Sequence, residues 1–231
     1  MSARLRPALV TGLVLTVALT GIASAATKKA AVTPVCNLLT DAAGDGNGID
    51  PGSPVPAQSG GPSNDAVDIL SADVASDAKN ITGVLRVKKL AATSSSAPTG
   101  MTWSVAFTVD TTTFSLAAHS DPTGAITYDA AHSAPGVNSL YGPGVTGVFD
   151  TAKSELRISA PRELFAKESD LKPGTKLTGL SANAGPEVAI PDKAGAFGGG
   201  AILEGALYYA DTASGGKDYL AGTPSCVAVG K

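Results

Sequence analysis

Acidic and amide side chains are concentrated in one glycine-rich stretch near the start of the chain and in the residues that follow it. These oxygen-bearing residues are Asp41, Asp45, Asn47, Asp50, Asp65 and Asp68. Hard cations such as Ca²⁺ bind about six to eight oxygen atoms, and flexible loops with short carboxylates can supply them. The pattern therefore indicates a Ca²⁺ site. The alternative is a solvated acidic turn capped by its own Asp and Asn side chains.

The two histidines, His119 and His132, flank a predicted turn that contains Asp121 and Gly124. If the strands on either side of this turn pair, the imidazoles could approach each other. Together with Asp121 or Asp129 they would then form a metal or acid–base cluster. Two independent histidines near surface loops are favoured over this cluster, because no third ligand has a diagnostic spacing.

The sequence contains no convincing set of catalytic motifs. We find no GxSxG elbow, no HExxH motif, and no SxxK motif accompanied by its partner motifs. The glycine triplet at 198–200 lacks the following Lys and Ser or Thr that a phosphate-binding loop requires. These observations favour a non-enzymatic protein and assign no catalytic residue. The alternative is a secreted hydrolase whose catalytic residues form no linear motif.

Residues 1–25 have the organisation of an export signal. Arg4 and Arg6 precede an uncharged, mostly apolar run over 8–22, and small residues at 23–25 fit the cleavage rule. This run of about 15 residues is shorter than the roughly 20 that a membrane span needs, so cleavage is favoured over anchoring. We predict a signal peptide over 1–25, a flexible leader over 26–35, and a secreted protein with no membrane span.

Export determines how the two cysteines, Cys36 and Cys226, are interpreted. Outside the cytosol a lone pair of cysteines usually forms a disulfide. Neither cysteine has a His, a CxxC partner or another Cys nearby in the sequence. We therefore predict a Cys36–Cys226 disulfide that closes almost the whole mature chain, with two free thiols as the alternative.

The composition of the 231-residue chain bounds its class and its partners. With 43% hydrophobic and 16% charged residues it is not typical of a wholly disordered protein. The formal net charge of −3 provides no basic surface. Nucleic acids and anionic membranes are therefore poor candidate partners.

Short apolar runs with a period near two follow one another from residue 67 onward, separated by turn-forming residues. The predicted strands cover 67–75, 81–90, 102–109, 114–119, 125–130, 145–150, 155–160, 176–183 and 201–210. Only 161–166 is typical of a helix, with Pro161 at its first position. We therefore predict an all-β fold, a two-sheet antiparallel β-sandwich with one short helix, as a single domain over 36–231.

Several short motifs occur in an order that is typical of a known kind of domain. They are Asp-Ala-Ala-Gly-Asp at 41–45, Val-Asp-Ile at 67–69, Leu-Arg-Val at 85–87, Trp-Ser-Val-Ala-Phe at 103–107 and Leu-Arg-Ile at 156–158. Over roughly 37–210 the chain resembles exported β-sandwich domains of the DOMON-like or CBM9-like kind. Such domains often bind calcium structurally. The resemblance favours Asp41, Asp45 and Asp68 as metal ligands.

These observations predict a secreted, non-enzymatic β-sandwich that acts as a binding or cell-envelope interaction module and is stabilised by calcium. Its partner would be an extracellular ligand such as a glycan or an envelope component. A carbohydrate-binding module is a further alternative, because related modules bind sugars. That alternative requires an exposed platform formed by one or more of the tyrosines Tyr128, Tyr141, Tyr208, Tyr209 or Tyr219.

Overall fold

The computed structural model describes residues 33–47, 61–167, 169, 171–187, 210–227 and 229. The predicted signal peptide over 1–25 lies outside the described residues, as do the leader before residue 33 and Asp50. The predicted strand over 201–210 also lies outside them, except for its last residue. The fold described below is therefore that of the chain from Thr33 onward, without these segments.

Twelve β-strands and one 3-10 helix form the regular structure of the described ranges. The first six strands are β1 (Leu39–Thr40), β2 (Ile69–Ser76), β3 (Asn80–Val87), β4 (Met101–Val109), β5 (Thr112–Ser120) and β6 (Ile126–Ala134). The others are β7 (Val137–Tyr141), β8 (Thr146–Asp150), β9 (Glu155–Pro161), β10 (Lys176–Pro186), β11 (Asp211–Ala213) and β12 (Tyr219–Leu220). The 3-10 helix covers Arg162–Phe165, directly after β9.

The strands form two antiparallel sheets, which confirms the predicted two-sheet β-sandwich. One sheet has the order β1-β2-β3-β9-β8 and the other the order β11-β10-β4-β5-β6-β7, with β12 paired to β10. The predicted short helix is a single 3-10 turn, and Pro161 precedes it as the last residue of β9. No helix in the part of the chain that the structure describes is long and apolar enough to cross a membrane.

Strand β4 shows why the sequence folds into facing layers. Trp103, Val105, Phe107 and Val109 alternate along it, and each is at least 96% buried. Successive side chains of a strand point to opposite faces, so these four lie on the inner face and pack in the core. The Trp103 indole N–H donates to the carbonyl of Ala66 at 2.7 Å, which satisfies a polar group inside that core.

The two ends of the described chain are joined covalently. Cys36 and Cys226 form a disulfide, as the sequence predicts. Backbone pairing accompanies it, because Val35 N–H donates to Pro224 O at 3.0 Å and Cys226 N–H donates to Val35 O at 3.1 Å. The disulfide therefore fixes the segment before β1 against the segment after β12.

Candidate metal centre

The loop that follows β1 carries the first two acidic residues of the candidate site, and close backbone packing sets its course. The Asp41 N–H donates to Leu70 O on β2 at 3.0 Å. At Gly46 a Cβ atom would lie 2.5 Å from the Cα of Asp68, a distance that no side chain can occupy. Glycine at this position therefore lets the loop lie directly against the start of β2.

Strand β11 brings a third acidic residue to the same place. Asp211 is the first residue of β11, where it pairs with Ala184 of β10, and its Oδ2 accepts the N–H of Ile69 at 2.6 Å. The loop reaches the same segment, because Asn47 N–H donates to Ala210 O at 3.4 Å. Asp211 thus lies where an edge of one sheet meets the beginning of β2 in the other.

Asp41, Asp45 and Asp211 form a cluster in which each residue offers one oxygen and these oxygens all lie within 4.8 Å of one another. Asp45 is exposed, Asp41 is half-buried and Asp211 is 7% exposed. The Oδ2 atom of Asp41 is buried and has no hydrogen-bond partner, whereas its Oδ1 accepts the N–H of Ala42 at 3.0 Å. A buried carboxylate oxygen without a donor fits coordination to a hard cation.

The electrostatics of Asp211 reflect this crowding of like charges. Burial, together with the negative charges of Asp45 and Asp41, outweighs the hydrogen bond from Ile69 and raises the pKa of Asp211 to about 6. A bound cation would favour the ionised form of all three carboxylates. Carboxylates are the type of ligand that hard cations prefer.

Asp68, which the resemblance favours as a ligand, has a different environment. It is fully buried, and both of its oxygens accept the N–H of Gly44, at 3.0 and 2.9 Å. Lys88 Nζ lies 3.6 Å from its Oδ2 and 2.8 Å from Asp65 Oδ1. Asp68 therefore holds the acidic loop in place through the backbone of Gly44, which has a positive φ of 101°.

The structure thus brings two of the three predicted ligands, Asp41 and Asp45, together with a residue that sequence reasoning missed. Asp211 is followed by Gly215, Gly216 and Asp218, a second acidic, glycine-containing stretch that could have indicated it. The side chain of Asn47 faces the loop itself, where its amide donates to Asp45 O at 2.9 Å. The ligand set with Asp68 stays a prediction, and the geometric cluster of the described residues contains Asp211 instead.

The two histidines do not approach each other, contrary to the hypothesis from the sequence. The register of β5 and β6 pairs His119 with Thr127 and His132 with Phe114, and these two pairs lie on opposite faces of the sheet. His132 is 3% exposed on the core side, where its Nδ1 is hydrogen-bonded to the Tyr141 hydroxyl at 2.7 Å. The shared cluster therefore does not form.

His119 does contact Asp129, one of the two acids considered with it, and it also contacts Glu187. Its Nε2 lies 2.8 Å from Asp129 Oδ2 and its Nδ1 lies 2.6 Å from Glu187 Oε1. Burial would lower the pKa of His119, but the hydrogen bonds and charges of the two carboxylates outweigh it and raise the pKa to about 9. With this pKa the ring is protonated at neutral pH, where it can donate from both nitrogens and cannot accept a proton as a general base.

The described tyrosines do not provide an exposed stacking platform. Tyr219 is 2% exposed, and its hydroxyl donates to Thr223 O at 2.8 Å. Tyr128 and Tyr141 are half-buried. The remaining two, at 208 and 209, lie outside the described residues.

Comparison with known proteins gives no relative from which a role could be transferred. No family model, curated protein or solved structure matches the chain. The DOMON-like or CBM9-like resemblance therefore stays a prediction. The function has to be argued from the residues of the chain itself.

Proposed function

We propose that this protein is a secreted, non-enzymatic β-sandwich binding module in which Ca²⁺, held by Asp41, Asp45 and Asp211, stabilises the fold. The observation that carries the proposal is the buried, unpartnered Oδ2 of Asp41 within a cluster of three carboxylates. Three negative charges at this spacing repel one another, and burial of a charge is costly unless it is compensated. A divalent cation compensates both effects at once.

The position of the cluster explains what the cation would do. Strand β1 is at the edge of one sheet and β11 is at the edge of the other. A cation bound by the loop after β1 and by Asp211 would therefore join the two sheets at an open side of the sandwich. The Cys36–Cys226 disulfide joins the same two regions of the sequence. Covalent and ionic links would together hold the chain ends on the core.

Secretion and the absence of catalysis rest on separate observations. The disulfide fits an oxidising compartment, as does the export signal predicted over 1–25. His119, which has acidic neighbours, has a carboxylate oxygen within hydrogen-bond distance of each ring nitrogen. Such a group suits structure better than proton transfer. The partner proposed from the sequence, an extracellular glycan or envelope component, fits this role.

The test is thermal unfolding of the disulfide-bonded protein with Ca²⁺ and with a chelator. Extracellular modules bind Ca²⁺ with dissociation constants of about 10⁻⁴ to 10⁻³ M, so about 10 mM Ca²⁺ would saturate the tighter end of that range. At roughly 100 times the dissociation constant, binding adds about 2.7 kcal/mol. For a domain of this size that raises the melting temperature by roughly 5 to 10 °C.

The variant Asp211→Asn separates a metal site from a mere acidic turn. In chelator it should melt at the wild-type temperature or above, because one of three repelling charges is removed. In Ca²⁺ it should show little of the wild-type increase. Glu163→Gln, which removes an exposed carboxylate outside the cluster, is the matched control and should keep the full increase. Identical wild-type curves with Ca²⁺ and chelator would refute the metal centre.

A further inference from the structure

A row of polar residues crosses β4, β5 and β6 on the outer face of the larger sheet and reaches the end of β10. Glu187 follows β10, Thr102 is on β4, His119 is on β5 and Asp129 is on β6. Thr102 and His119 are register partners, and the Thr102 hydroxyl lies 3.0 Å from both His119 Nδ1 and Glu187 Oε1. The contact between Glu187 and His119 therefore links the end of β10 to β5, two strands that are not hydrogen-bonded to each other in the sheet.

The geometry of His119 favours the protonated ring. Each ring nitrogen has a carboxylate oxygen within hydrogen-bond distance, Asp129 at 2.8 Å and Glu187 at 2.6 Å. A neutral imidazole has one nitrogen with a lone pair, and that lone pair would face a carboxylate. Only the protonated ring can donate to both. Charge-assisted hydrogen bonds of this kind are the stronger class.

Glu187 is also held through its backbone. Its N–H donates to Gly100 O at 2.9 Å, and its carbonyl accepts the hydroxyl of Thr99. The residue therefore fixes the end of β10 against the segment that leads into β4. Loss of the His119 contact would remove the charged hydrogen bond of the Glu187 side chain and leave the hydrogen bonds to Gly100 and Thr99.

We propose that His119 is a pH-operated latch: as an imidazolium it holds the end of β10 to β5 and β6 through Glu187 and Asp129, and its deprotonation removes this charged attachment of the Glu187 side chain. On the described elements packed against the ring, these two carboxylates are the charged groups, and β4 contributes only the neutral hydroxyl of Thr102. The latch does not depend on the proposed metal centre. Ca²⁺ should therefore leave its midpoint unchanged.

The sign of the pH dependence follows from the two partners. Because the pKa of His119 is raised from 6.5 to about 9, the latch contributes fully below pH 6.5 and is lost as the pH rises through about 9. For Glu187, burial would raise the pKa, but the hydrogen bond and charge of His119, with the Thr102 hydrogen bond, lower it below 4.5. At low pH the latch is therefore lost only when Glu187 becomes protonated, which requires a pH below its ordinary pKa of 4.5.

The experiment is an NMR titration of the full chain from pH 5 to 10.5. The imidazole signals of the two histidines are observed together with the backbone amides of Gly100 and Glu187. We expect the His119 ring, assigned with His119→Gln, to titrate near pH 9, which corresponds to proton binding roughly 300-fold tighter than for an ordinary histidine. The two amides should shift with the same midpoint. His119→Gln should abolish that shift.

Two variants distinguish a latch from an isolated ion pair. Glu187→Gln should lower the His119 midpoint markedly, because one of two carboxylates is lost, whereas the exposed control Glu163→Gln should leave it unchanged. A His119 midpoint near 6.5 would overturn the proposal. So would amides of Gly100 and Glu187 that stay constant while the ring titrates. If Glu187→Gln does not fold, the wild-type and His119→Gln titrations still decide the outcome.

Discussion

Arg86 of β3 lies between two buried carboxylates, and its removal is the most informative perturbation of the smaller sheet. Its Nη1 is 2.7 Å from Asp73 Oδ2 on β2 and its Nε is 2.9 Å from Glu155 Oε2 on β9. Arg157 also binds Glu155, at 2.6 Å, and Leu38 N–H donates to the other oxygen of Asp73 at 2.9 Å. In Arg86→Met, Glu155 would therefore keep a cation, whereas Asp73 would keep only a backbone donor.

The loss of stability expected for Arg86→Met depends on how deeply Asp73 is buried. Removal of one partner of a buried ion pair costs about 3 to 5 kcal/mol. The Asp73 side chain is 1% exposed, but Arg86 is 30% exposed, so water can reach part of the vacated space. We therefore expect the lower end, about 3 kcal/mol, which lowers the melting temperature by roughly 6 to 12 °C.

The assay is urea unfolding followed by the fluorescence of Trp103, the single tryptophan of the sequence. Arg86→Met combined with Asp73→Asn should recover at least about 1 kcal/mol relative to Arg86→Met alone, since the unpaired charge is removed. Arg157→Met is the matched control and should cost less than Arg86→Met, because Glu155 keeps Arg86. A double variant no more stable than Arg86→Met would refute the argument that an orphaned Asp73 causes the loss.

Two further predictions concern the attachment of the chain ends and of the acidic loop. Because the disulfide spans a sequence separation of 190, Cys36→Ser should lower the free energy of unfolding by up to about 5 kcal/mol. Urea unfolding should give the same loss for reduced wild-type protein, and a loss below about 1 kcal/mol would contradict the estimate. Gly46→Ala places a Cβ against the backbone of Asp68 and should cost about 1 to 3 kcal/mol and weaken the Ca²⁺ response of the melting temperature. Gly142→Ala, where a Cβ meets nothing within 4 Å, should change neither, and equal melting curves for the two variants would show that the loop is not tightly packed.

The sequence predicts the central strands well because apolar residues alternate along them with residues of the opposite face. In β4 the alternation of Trp103, Val105 and Phe107 reflects a strand with a partner on each side and one face in the core. Strand β7 is not predicted because the polar residues Asn138 and Ser139 follow one another in it and leave no clear alternation. Its position and length are not the reason, since β8 is also an edge strand of five residues and is predicted over 145–150.

In the candidate metal centre, two of the three residues can be found from local sequence, and the third depends on long-range contacts. Asp41 and Asp45 share one glycine-rich loop, so composition alone identifies them. Asp211 joins them only through its pairing with Ala184 and its contact with Ile69, which depend on the assembly of both sheets. The neighbouring Gly215, Gly216 and Asp218 form a second acidic stretch but do not encode that arrangement. A sequence can therefore indicate a cation-binding loop without revealing the residue that completes it.

The histidines show how much depends on the register of a single hairpin. Residues opposite each other in an antiparallel pair share a face, so His119 lies with Thr127 and His132 lies with Phe114. Positions 127 and 132 differ by five, an odd number, which puts the two rings on opposite faces. A slip of one residue would have placed both on the same face. The turn prevents that slip, because Asp121 Oδ1 accepts two backbone N–H groups within it, at 2.8 and 2.9 Å. The side chain that caps this turn therefore helps to decide that His119 meets carboxylates while His132 packs in the core.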